Sequence, residues 1–281
     1  MRGCRRLMVS SGWVRVGGAA LLMLVVWAAA LPAAAQQLRI PTSTLYDKVR
    51  IAGFSWRSTP SGTLHLRGLE NIPGFEDGIS LIDTLGFDES ETGWIVEGNF
   101  AAGRRHRFIF EFSRLNASGA QTVEFPGFGP LPSFLLVTRS DINLREFHGF
   151  YNFLFVASPQ VEFGVLGGVG WFETEATILS NIGSAVVKLD QVFPSFGTNI
   201  LFNPKGPVRG YVELSGFPRV TIEDLSGYQF DLLARAEFFV ARSFGLTVGY
   251  RRYRLVLDEA VDNVGLDMTW EGFIFGGQVR F

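Results

Sequence analysis

Through most of the chain, side-chain character alternates with a period of two, and no stretch sustains the 3.6-residue pattern of an amphipathic helix. Tyr228, Phe230, Leu232, Ala234, Ala236, Phe238 and Val240 form one row, and Gln229, Asp231, Leu233, Arg235 and Glu237 the other. The carboxyl end repeats this, with Phe273, Phe275, Gly277, Val279 and Phe281 opposite Gly272, Gly276, Gln278 and Arg280. Similar rows are Trp94, Val96, Gly98 and Phe100, then Phe108, Phe110 and Phe112, then Val161, Phe163, Val165, Val169 and Trp171, then Val208, Val212 and Leu214. Successive side chains of a strand point to opposite faces, so each row is one face of a β-strand. The fold class is therefore all-β.

What fills the two faces decides between solvents. In a soluble sandwich the polar face meets water and strands run about five or six residues. Here they run longer, the apolar rows carry aromatics, and the opposite rows mix Gly, Glu, Arg, Asn and Ser. That mixture suits a wet, charge-paired interior, whose closed ladder leaves no unpaired amide in hydrocarbon. The expectation is a transmembrane antiparallel up-and-down β-barrel.

Turn signals give ten strands, near 62–69, 92–101, 106–115, 141–156, 160–174, 187–202, 207–218, 227–241, 244–257 and 267–281. Eight and twelve remain open, and Val49–Trp56 competes for the first position. Short connections at 102–105, 158–160, 203–206 and 242–243 alternate with longer ones near 70–91, 116–140, 175–186, 219–226 and 258–266. Short turns face the periplasm in such barrels, so both termini are expected there.

Residues 1–35 read as a secretory signal peptide. Arg2, Arg5, Arg6 and Arg15 precede the apolar stretch Ala19–Leu31, and Ala33-Ala34-Ala35 supplies a small-x-small cleavage pattern. Residues 36–61 read as a leader and 62–281 as the barrel. Cleavage leaves 21 basic and 27 acidic residues, a balance of −6, and removes the single cysteine, Cys4. A processed chain without cysteine has neither disulfide nor thiolate chemistry. A near-neutral chain with lysine only at 48, 188 and 205 offers no footprint for nucleic acid.

With its leader Ala33-Ala34-Ala35, its serial hairpins and its final strand ending Phe275-Gly276-Gly277-Gln278-Val279-Arg280-Phe281, the chain resembles Gram-negative outer-membrane β-barrel proteins. That resemblance implies an outer-membrane location, contact with outer-membrane lipids and lipopolysaccharide, and recognition of Phe281 by the barrel-assembly machinery. The stretch Ile79–Phe87 and the run Arg104-Arg105-His106-Arg107 are similar to uncharacterised barrels of this size, and imply no activity.

Catalytic patterns of barrel enzymes are sparse. His65, His106 and His148 lack the aspartate partner of omptin-like proteases and the His-x-Ser spacing of barrel lipid hydrolases. A cross-strand set of His148, Ser113 and Glu111 is the one weak catalytic candidate. No histidine or cysteine spacing suits zinc, and no cofactor is implied. Gly167-Gly168-Val169-Gly170 lies in mid-strand with no helix behind it, so it is not read as a phosphate loop. Asp83, Asp88, Glu89 and Glu91 read as a solvated loop face rather than a cation site.

The inward parity carries Glu97, Glu111, Glu162, Glu213, Asp231 and Glu237 with Arg107, Arg209, Arg235, Arg251 and Arg280. Charges enclosed in so narrow a barrel must pair. Outward Tyr228, Phe244, Tyr250, Phe281, Trp94 and Trp171 suit interfacial girdles. The expected function is a structural or surface-interaction barrel without an evident catalytic site. The alternatives are a small passive, porin-like channel and a lipid A- or phospholipid-modifying hydrolase.

Overall fold

The computed structural model describes residues 48–65, 78–87, 90–125, 134–180, 183–222, 225–259 and 264–281. The expected signal peptide and the first part of the expected leader lie outside the described residues. Ten full strands and one two-residue strand follow in order: β1 Val49–His65, β2 Ile79–Ser80, β3 Glu91–Ala101, β4 His106–Phe125, β5 Phe134–Ala157, β6 Val161–Ser180, β7 Gly183–Phe202, β8 Val208–Ile222, β9 Leu225–Phe239, β10 Phe244–Glu259 and β11 Val264–Arg280. Each full strand pairs antiparallel with the next full strand, and β11 pairs with β1 from Arg280↔Arg50 to Gly265↔His65. The sheet is a closed ten-strand barrel without a helix among the described residues. Closure removes free edges around most of the wall, where unpaired backbone groups would otherwise meet lipid.

The barrel has two differently built halves. Near the rim of short turns, the outer surface is apolar, with Phe108 and Phe110 on β4, Val165 and Val169 on β6, and Phe273 and Phe275 on β11 all exposed. A strand rising about 3.3 Å per residue and tilted needs roughly 9–11 residues to cross hydrocarbon. Yet β4, β5, β6 and β7 have 20, 24, 20 and 20 residues, so their far ends project beyond such a band.

In the projecting half the alternation keeps its phase but reverses its polarity. On β4 the outward row passes from Phe108 and Phe110 to Arg114 and Asn116, while Leu115 and Ala117 turn inward. On β10 it passes from Leu246 and Val248 to Arg252 and Arg254, with Tyr253, Leu255 and Leu257 inward. The inner faces of this half form one apolar cluster, including Trp56, Leu144, Phe172, Met268 and Trp270. Water surrounds these outer walls instead of lipid, so burying apolar side chains inside becomes favourable, as in any soluble core.

Three expectations are corrected by this architecture. The barrel begins at Val49, so residues 49–61 are not leader; the inner row of β1 is Ala52, Phe54 and Trp56, beside inward Ile95 on β3 and Ile274 on β11, and its outer row is Ile51, Gly53, Ser55 and Arg57. Much of the expected loops at 116–140, 175–186, 219–226 and 258–266 is strand, because loss of outward apolar residues marks the end of the lipid band and not of pairing. Nor do all aliphatic rows face hydrocarbon, since a large apolar cluster fills the projecting half from within.

The first long connection supplies a plug. Residues 80–86 form a single helical turn, with the Thr84 and Leu85 amides donating to Ser80 O and Gly86 N to Ile82 O. Ser80 caps it by accepting from the Asp83 amide at 3.1 Å. Ile79, Leu81, Leu85 and Phe87 are buried in the same apolar cluster as the strands. Thr138 Oγ1 donates to Thr84 O and Gln121 Nε2 to Asp83 O, both at 3.3 Å, fastening the turn to the wall.

Candidate functional site: the charged lumen

Below the apolar cluster, toward the short-turn rim, the lumen is ionic. Arg50 on β1, Glu97 on β3, Arg235 on β9 and Glu237 on β9 form a closed ring of alternating charge. Arg50 bonds Glu97 and reaches Glu237 at 2.7 Å, while Arg235 reaches Glu97 at 2.6 Å and Glu237 at 3.1 Å. Two guanidiniums and two carboxylates cancel, which is what makes their removal from water tolerable. Beside this ring, Tyr211 donates to Glu213 and Ser215 donates to the same carboxylate. The Arg235 guanidinium also lies 4.3 Å from the centre of the Tyr211 ring.

A second cluster sits under the apolar core. Arg251 on β10 grips Asp231 in a two-pronged contact and reaches Glu111 across the lumen at 2.8 Å. Its guanidinium lies 5.1 Å from the Trp56 ring, so one residue is both the top of the ionic half and the floor of the apolar one. Glu146 on β5 collects His148 at 3.1 Å, Tyr253 Oη at 2.9 Å, Gln229 Nε2 at 2.8 Å and Ser113 Oγ at 3.4 Å.

Near the short turns, Arg107 reaches Glu162 at 2.6 Å. The Phe239 ring lies between two guanidiniums, with Arg280 at 3.7 Å and Arg209 at 4.5 Å from its centre. A cavity of about 30 Å³ lined by Arg50, Asn99, Arg107, Asn152 and Tyr211 is room for a single water.

Glu97, Arg107, Glu111, Glu162, Arg209, Glu213, Asp231, Arg235, Glu237, Arg251 and Arg280 thus all have inward-facing side chains, and most are fully buried. Two members were missed from the sequence. Arg50 fell on the leader side of the expected boundary, and Glu146 shares its row with Leu144 and Ile142, which hid its parity with His148.

The catalytic candidate does not assemble as expected. His148 turns its Nε2 to Glu146, Ser113 donates to Glu146 rather than to the imidazole, and Glu111 is held by Arg251. A serine activated by imidazole needs a direct hydrogen bond between them, and Glu146 stands in that place. His148 and Ser113 are also buried, with Phe150 stacked on the imidazole at 5.4 Å. The loop acids are scattered in role: Asp83 belongs to the capped turn, Glu91 accepts the Ser118 amide at 3.1 Å, and Asp88 and Glu89 lie outside the described residues. Among the described residues no group of three or more His, Cys, Asp or Glu could hold a metal.

The outward aromatics bound the apolar belt on both sides. Phe244 and Phe281 are exposed near the short-turn rim, and Trp94 is exposed beside the first outward charges. Trp171 donates its indole N–H to Asp190 at 2.6 Å, apolar body in the belt and polar edge beyond it.

Closure, an apolar belt with aromatic margins, and an enclosed ionic lumen define a transmembrane β-barrel of the outer-membrane type. No protein-family model and no curated protein matches the chain. Among solved structures it is similar to the outer-membrane protease OmpT from Escherichia coli, with 10% identity, a TM-score of 0.45, and 88% of this chain and 100% of that one covered. It is likewise similar to Neisserial surface protein A, at 11% identity and a TM-score of 0.37, covering 83% of this chain and 97% of that one. The translocator domain of the autotransporter NalP from Neisseria meningitidis gives 9% identity and a TM-score of 0.42, over 95% of this chain and 98% of that one. Likenesses this distant describe a barrel and nothing of its activity; the chain's own belt and closure define the class.

Proposed function

We propose that the chain is a closed outer-membrane barrel that acts as a structural platform for surface interactions, with no catalytic centre in its lumen. The observation that carries this reading is that both halves of the interior are filled, one by paired charges and the other by an apolar core with its own plug. A conducting pore needs a continuous aqueous path, and Leu81, Leu85, Trp56 and Trp270 pack together inside the projecting half with almost no exposure. What remains available is the polar outer wall of the projecting half, which includes Asn116, Asp141 and Arg139.

In this reading the short-turn rim and both termini are periplasmic, as short turns are in single-chain barrels. Outward Arg114 and Arg145, which are Cα partners, lie just beyond the belt where lipopolysaccharide phosphates would meet them. Phe281 closes the seam through its amide to Val49 O at 2.9 Å and is the residue offered to the assembly machinery.

The test is conductance in planar bilayers, alongside mass analysis of lipid A and phospholipids with and without His148→Ala. No reproducible current steps and an unchanged lipid profile are expected. Steps of constant size would establish the channel alternative instead, and a His148-dependent lipid change the hydrolase.

A further inference from the structure

The wall of the barrel is not equally laced. The β6–β7 ladder runs its full length to Ser180↔Gly183, but the β7–β8 ladder stops at Phe196↔Gly216 although both strands continue. Beyond that row, β7 pairs only with β6 and β8 only with β9, so two strand edges face each other. The sequence prepares both edges. Pro194 on β7 and Pro218 on β8 have no N–H to offer, Gly216 takes a φ of 144°, and β8 shifts register between Phe217 and Val220. Proline and bulges are what natural strands use where no neighbour will pair.

Behind this seam lies the apolar core; only its rows from Val192 to Phe196 front the lipid belt, and from Asp190 onward it stands on the projecting wall. Phe172, Gln191, Phe193, Phe217, Val220 and Leu225 line a void of about 10 Å³ just inside. Phe193 from β7 and Phe217 from β8 close it, their ring centres 3.9 Å apart. Outside, Val192 and Phe196 on β7 are 57% and 54% exposed, continuous with the belt, and Trp171 and Asp190 mark its margin. Apart from Gln191 and the unpaired backbone of the two edges, the lining is apolar and carries no charged side chain, which suits an alkyl chain better than an ion.

We propose that the β7–β8 seam is a lateral acyl-chain site: one chain of a membrane lipid passes between Phe193 and Phe217 and lies against the apolar core. The proposal rests on the membrane reading above. Separating two side-chain rings breaks no ladder bond, because none exists there, so this part of the wall yields more readily than any laced part.

The full chain is reconstituted in phosphatidylcholine vesicles containing a lipid with a diazirine in its acyl chain, irradiated, and mapped by mass spectrometry. Expected are adducts on outward Val192 and Phe196 and also on inward Phe217, Val220 and Leu225, with none on inward Phe54 and Ile95 of the opposite strands β1 and β3. Phe193→Ala should raise the inward labelling several-fold, and Val220→Trp should suppress it. Outward labelling without inward labelling, or inward labelling indifferent to Val220→Trp, overturns the proposal. Absence of labelling on the outward rows as well would overturn the membrane reading itself.

Discussion

Arg235 on β9 holds Glu97 on β3 from across the lumen, its Nη1 2.6 Å from Oε2 and its Nη2 3.1 Å from Oε1. Strands β10, β11 and β1 lie between them in the sheet, so the contact is a strut spanning the cylinder and not a bond along its wall. Arg50 and Glu237 complete the strut into a ring. Its energetics are those of a buried ionic network, in which loss of one member leaves a charge without compensation.

Arg235→Leu should therefore cost about 3–5 kcal/mol, the usual penalty for orphaning a buried charge. The double variant Arg235→Leu with Glu97→Leu should recover most of that loss, because Arg50 and Glu237 remain as a balanced pair 2.7 Å apart. Urea unfolding of the reconstituted barrel, followed by tryptophan fluorescence, measures both, and additive losses would contradict a coupled ring.

The margin of the belt can be found by moving one arginine along the outer face. Val165→Arg places a charge midway between the rim at Val161 and the margin at Trp171 and should cost about 2–4 kcal/mol. Asn143→Arg, on the projecting wall of β5, should stay within about 0.5 kcal/mol of the parent. Equal costs at the two positions would mean that the polarity reversal does not mark a lipid boundary.

The plug depends on a close approach at Gly119, where an added Cβ would stand 2.5 Å from Leu85 O and Gly86 C. Gly119→Val should expel the 80–86 turn and expose it to protease, whereas Leu81→Ala should leave it seated at a cost of about 2–5 kcal/mol. Limited proteolysis with mapping of the cut sites tells these outcomes apart. A turn that stays protected in Gly119→Val would show that it is not held against β4.

Deleting Phe281 should slow assembly in cells while leaving refolding into detergent nearly unchanged. The deletion removes the terminal aromatic recognised in the assembly reading, and with it the amide bond to Val49 O. Heat-modifiable mobility on gels follows both processes, and equal slowing of both would point to lost stability instead of lost recognition.

The strands nearest the carboxyl end were legible because both of their faces are strongly marked. On β9 every other residue from Gln229 to Glu237 is buried, as the alternation of Gln, Asp, Leu, Arg and Glu with Tyr, Phe, Leu and Ala implies. β1 was hard to place because its outward row is weakly marked, with Ile51 the one large apolar residue before Gly53, Ser55 and Arg57. The far ends of β4 to β7 were missed for a related reason: a rule that looks for apolar residues outside stops where lipid stops. The lumenal pairings were not legible at all, because alternation gives the face on which Arg251 or Glu111 stands but not which partner meets it across the cylinder. The same gap explains why the Ser113–His148 pairing failed, since Glu146 enters from the register of β4 with β5.

The reversal of polarity along each strand has a consequence for how the molecule enters a bilayer. Arg114, Arg145, Glu173 and Arg252 end on the far side of the hydrocarbon, and an isolated strand dragging them through would meet a prohibitive barrier. Leu115, Leu144 and Leu255, which could have been shown to lipid on the way, must at the end turn from it toward one another. On this membrane reading, translocation of the polar far half and closure of the cylinder are expected to proceed together.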